Sequence, residues 1–145
     1  MKRRDFLRTA LVGAVAGAVK IEGSTILAAD KNAGAEAPND LVAVMGGEPV
    51  ELYKKGIEAM GGMKRFVKKG QKVVVKPNIG WDKTPEYGAN TNPLLVSEIV
   101  KDCVKAGAAE VVVFDHTCDE WEGCYKNSGI AEAAEKAGAK IAYAH

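Results

Sequence analysis

Val73-Val74-Val75-Lys76-Pro77-Asn78, continued by a polar loop to Asn92-Pro93, decides the fold of this 145-residue chain. Three β-branched residues in succession, entered from Gly70 and closed by Pro77, predict a short buried strand. The loop from Asn78 to Asn92 carries Trp81, Asp82, Lys83, Glu86, Tyr87, Asn90 and Thr91. Connections inside α/β units usually run about 2–6 residues, so a loop of this length marks a functional or mobile segment.

Downstream, Asn92 suits an N-cap, Pro93 the first helical position and Gly107 the C-terminal stop. Between them Leu95, Val96, Ile99, Val100, Cys103 and Val104 make one apolar stripe. Glu110 leads into Val111-Val112-Val113-Phe114, a second apolar strand. A polar loop is expected from Asp115 to Asn127. Ser128 then caps a third helix with Ile130, Ala131, Ala134 and Ala137 inward and Gly138 as its stop, and Lys140 to Tyr143 forms the last strand.

Upstream, Leu41-Val42-Ala43-Val44-Met45, bounded by Gly46-Gly47, reads as a first strand. Pro49 opens a helix with Leu52, Tyr53, Ile57 and Met60 at helical spacing. Gly61-Gly62 breaks it, and Met63 to Lys69 adds a turn or two before Gly70. Continuous apolar strands alternating with helices predict an α/β fold. The expected architecture is a parallel, Rossmann-like sheet of about four strands with helices on both faces. A chain that stops on a strand makes the expected domain incomplete, the N-terminal part of a larger one.

Residues 1–37 read as a signal peptide and linker, and 38–145 as the α/β domain. Arg3-Arg4-Asp5-Phe6-Leu7-Arg8 resembles the twin-arginine export signal. Thr9 to Val19 is apolar, diluted with Ala and Gly, and too short to span a bilayer. Ala33-Gly34-Ala35 offers a small-x-small cleavage pattern, with Leu27-Ala28-Ala29 as the alternative. These features predict export through the twin-arginine machinery to the periplasm or beyond, with no stable membrane span after cleavage. That route carries proteins already folded, which suits cofactor loading in the cytoplasm.

Of 20 basic and 19 acidic residues, six and four lie up to Asn39, leaving 14 against 15 in the domain. A near-neutral balance excludes the electrostatic footprint of a nucleic-acid binder. The local run of lysines from Lys54 to Lys76 reads as a solvated helix face.

The ordered set Gly61-Gly62-Met63 through Lys76-Pro77-Asn78, Thr91-Asn92-Pro93, Ala106-Gly107-Ala108, Val111 to Asp115 and Ser128-Gly129-Ile130 resembles domain-of-unknown-function family three-six-two. The resemblance runs over roughly residues 40 to 145. It implies a longer complete domain and an iron–sulfur context, since many members resemble or are fused to iron–sulfur proteins. The ferredoxin pattern Cys-x2-Cys-x2-Cys-x3-Cys-Pro is absent, so a ferredoxin cluster is not carried over.

In an open parallel sheet, ligands sit beyond the carboxyl ends of the strands. Lys76 and Asn78 leave one strand there, and Asp115, His116 and Cys118 leave the next. Lys76 is the expected cation for an anionic group. Asn78, Thr91 and Asn92 would orient a polar ligand beside the helix N-terminus, or serve only to turn the chain and cap the helix. Asp115 would act as base or metal ligand, or as a turn residue. Cys118 and Cys124 admit a disulfide or, with His116, a transition-metal or cluster site. Cys103 belongs to the buried stripe. The expected function is an exported protein binding a small polar or anionic ligand at this edge, with a metal or iron–sulfur association. The alternative is a non-catalytic binding module with a structural loop disulfide.

Overall fold

The computed structural model describes residues 39–144, together with the backbone of two short strands near the N-terminus. Those strands, β1 (Ala18–Ile21) and β2 (Ser24–Leu27), pair antiparallel. The twin-arginine stretch and Ala33-Gly34-Ala35 lie outside the described residues, and of Leu27-Ala28-Ala29 only Leu27 lies within them.

The α/β unit runs α1 (Pro49–Ala59), a 3-10 turn (Met63–Arg65), β3 (Lys72–Val75), a 3-10 turn (Pro85–Tyr87), α2 (Pro93–Ala106) and β4 (Glu110–Val113). It continues with α3 (Trp121–Asn127), α4 (Ile130–Lys136) and β5 (Lys140–Ile141). β3, β4 and β5 form a three-stranded parallel sheet in sequential order. Val75 lies opposite Val113, and Val113 opposite Ile141, so the three carboxyl ends are level.

The sequence signals at α2 act as read. Asn92 Oδ1 accepts from the Leu94 and Leu95 amides at 2.9 and 3.2 Å. Gly107 ends the helix at φ 104°, a left-handed conformation that costs glycine nothing. Gly107 also approaches the Lys69 backbone so closely that a Cβ there would lie 3.3 Å from the Lys69 Cα.

The core lies between one face of the sheet and the helices. Val111 and Val113 of β4 pack with Val96, Val100 and Cys103 of α2 and Ile130 and Ala134 of α4, joined by the half-buried Val73, Val75 and Ile141. Among the described residues the helices lie on one face and leave the other uncovered, with Val74 60% exposed. The Glu110 carboxylate there bridges Lys72 at 3.2 Å and Lys140 at 2.5 Å. Strand order explains this. Right-handed crossovers between strands that advance in one direction lay every crossover helix on the same face.

Three local expectations are corrected. Leu41–Met45 forms no strand, because it lies along α1 instead of beside β3. Asn39 Nδ2 donates to the Ala59 carbonyl and Val44 packs at Gly56, leaving Leu41 and Met45 exposed. The stretch read as a loop to Asn127 contains the whole of α3. The last strand ends at Ile141.

Candidate functional site

Parallel pairing in register brings Lys76 and Asp115 out at the same edge. The Asp115 side chain is 4% exposed and Lys76 is 60% exposed. One Asp115 carboxylate oxygen takes the Lys76 ammonium, and the other accepts from the Ile79 amide at 2.8 Å. Burial opposes the charge of Asp115, but the Lys76 hydrogen bond and the Ile79 and His116 amides outweigh it. Its carboxyl therefore sits below the ordinary carboxylate range. The result is a cation held at the mouth of the sheet by a buried anion.

Asn78 and Thr91 close the base of the long loop. The Asn78 amide donates to Thr91 Oγ1 at 2.9 Å, and the Thr91 amide to the Asn78 carbonyl at 3.0 Å. Asn78 Nδ2 donates to the Ala89 carbonyl, and Asn78 Oδ1 accepts from the Gly80 amide. Asn90 ties Trp81 in the same way, through its amide and its carbonyl. The structure thus gathers Lys76, Asn78, Thr91 and Asp115 at one edge, whereas the Asn92 oxygen is occupied by the helix cap. Above this base Trp81 and Tyr87 are exposed, with Lys83 Nζ 5.7 Å from the Tyr87 ring centre.

The loop after β4 is bonded directly to the first. The Cys118 and Asp119 amides both donate to the Gly80 carbonyl, at 2.9 and 3.1 Å. Asp119 Oδ2 accepts from the Asp82 amide at 3.0 Å, and Asn127 Nδ2 donates to Asp82 Oδ1 at 2.6 Å. Gly123 makes room for this contact, since a Cβ there would sit 2.3 Å from Asp82 Oδ2. The two loops are one clasped unit.

The thiols form no disulfide. Cys118 is exposed, Cys103 and Cys124 are buried, and all three are free. Burial pushes the Cys124 thiol up. Among the described residues no group of three His, Cys, Asp or Glu side chains is placed to hold a metal ion. His116, Cys118 and Cys124 as placed do not fit a metal or an iron–sulfur cluster, and no chemistry is assigned through one.

Tyr125 escaped sequence reading. It is buried, and its hydroxyl accepts from the Asp115 amide at 2.7 Å, with the Asp115 and Ala142 carbonyls at 2.9 and 3.1 Å to share its proton. It staples the ends of β4 and β5. The spacing of Trp121, Cys124 and Tyr125, one helical face, was the available signal.

A groove of about 730 Å³ lies away from this edge, between α1 and α2. Two of its lining carboxylates, Glu98 and Asp102, are engaged by Lys54 at 3.0 Å and by the Tyr53 hydroxyl at 3.1 Å.

A family model described as Domain of unknown function (DUF362) matches residues 73–145. No curated protein and no solved structure matches the chain.

Proposed function

We propose that this chain, which belongs to the DUF362 family, binds a small polar or anionic ligand at the carboxyl edge of its sheet, with Lys76 as the anchoring cation. One observation carries the reading. Asp115, 4% exposed, fixes a lysine that is itself 60% exposed, at the edge where open parallel sheets bind ligands. A surface lysine ordinarily sweeps through many rotamers, and a buried partner that limits that freedom lowers the entropic cost of capturing an anion. The clasped loops beside it supply a floor whose hydrogen bonds are already made.

Phosphate and succinate, titrated separately against the full chain and followed by amide chemical shifts, test this. Saturable shifts at Lys76 and Ile79 are expected with at least one of them, and their loss in Lys76→Met with the fold retained. No saturable response to either anion overturns the reading.

The proposal extends to export through the twin-arginine machinery, supported by Arg3-Arg4-Asp5-Phe6-Leu7-Arg8 ahead of an apolar segment. Replacing both Arg3 and Arg4 by Lys should retain a fused reporter in the cytoplasm. Unchanged export of that variant would refute the route.

A further inference from the structure

The carboxyl edge holds a second chemical feature besides the cation. Beyond β5, Tyr143 is 44% exposed and stands against two other aromatic rings. Its ring centre is 4.4 Å from Trp121 at an interplanar angle of 51° and 4.9 Å from Tyr125 at 60°. Both neighbours brace it. Tyr125 is immobilised by its hydroxyl contacts to Asp115 and Ala142, and Trp121 opens α3 directly after the clasped loop.

This cluster and Lys76 belong to the same edge. The Phe114 amide donates to the Val75 carbonyl and the Ala142 amide to the Val113 carbonyl, so the ladder continues past the strand ends. Asp115 and Tyr143 are level past the ends of β4 and β5, and Lys76 leaves β3 one residue earlier and meets Asp115 through its ammonium. With parallel strands about 4.8 Å apart, the outer two strands are separated by about 10 Å across the sheet. A half-exposed aromatic ring braced by two others is a rigid apolar surface, and ordering it on binding costs little entropy.

We propose that the ligand carries a planar ring as well as an anionic group, with the ring lying against Tyr143 and the anion at Lys76. The inference rests on the reading of this edge as a binding site and names the class of ligand. Tyr143 is then a specificity residue: it distinguishes ring-bearing anions from plain ones, whereas Lys76 serves both.

Adenosine monophosphate and ribose phosphate are suitable probes, because they share the phosphate and sugar and differ in the ring. Calorimetric titration of the full chain should show the ring-bearing probe binding about 10-fold more tightly, the size expected for one ring stacked on an aromatic side chain. Tyr143→Leu should bring the two probes together without altering ribose phosphate binding. Tyr143→Phe keeps a ring and should keep the preference, which guards against a misfolded leucine variant. Equal affinity of both probes for the unaltered chain overturns the ring inference and leaves the anion site standing. Failure of both probes to bind overturns the ring inference, while the anion site is decided by the phosphate and succinate titrations.

Discussion

Asp115 and Lys76 meet with opposite exposures, the carboxylate 4% and the lysine 60% exposed, and the carboxylate alone also holds the Ile79 amide. The pair is thus anchored from the protein side. Because the Asp115 pKa is lowered on folding, the unfolded chain binds its proton more readily, and stability must rise with pH through that interval. The contribution is fully present above the unfolded value of about 4 and is lost as pH falls through the lower folded value. Urea unfolding should find Asp115→Asn less stable by about 2 kcal/mol at pH 6, with the gap narrowing toward pH 2. A gap that stays constant across this range would show that the charge of Asp115 is not what matters.

Much of this was legible in the residues themselves. Asn92, Pro93 and Gly107 bound α2 because each signal is local: a cap, a preset φ and a left-handed stop. The valine runs at β3 and β4 likewise announce themselves. What the sequence hides is pairing. Leu41–Met45 has the composition of a strand but lies along α1, and nothing local in it records that choice. α3 was masked by Gly123 and a polar approach, although Gly123 is there to admit Asp82. At the site, Lys76 and Asp115 were visible as strand-end residues, whereas Tyr125 is joined to Asp115 only through the fold.

Val74 and Val113 are chemically identical residues with different environments, 60% and 0% exposed. Val74→Thr should change stability by no more than about 0.5 kcal/mol. Val113→Ala should cost about 2 kcal/mol, from two lost methyl groups and the space they leave. Denaturant melts of the two variants measure the contrast. A costly Val74→Thr would mean that the open face is covered in solution.

The three cysteines should react in two classes. Cys118 is exposed, while Cys103 and Cys124 are buried with thiols pushed up by burial. A thiol reagent at pH 7.5 should modify one site in the native chain and three after denaturation. Peptide mapping should place the fast site at Cys118. A native chain with only Cys103 titratable after denaturation would instead reveal a Cys118–Cys124 disulfide.

Tyr125→Phe isolates the staple between β4 and β5. The ring remains against Tyr143, but the Asp115 amide loses its 2.7 Å acceptor and the two carbonyls lose their shared donor. Leaving such groups unpaired in a buried setting costs about 1–3 kcal/mol. Stability alone would not separate a general packing defect from a role in placing Asp115. Coupling does. Tyr125 and Asp115 fix the same strand end, so Tyr125→Phe combined with Asp115→Asn should destabilise by less than the two single changes together, by about 0.5 kcal/mol or more. Amide exchange at Ile79 should accelerate in either single variant, because both loosen the carboxylate that Ile79 donates to. Strict additivity with unchanged exchange at Ile79 would reduce Tyr125 to a residue that only closes the end of β5.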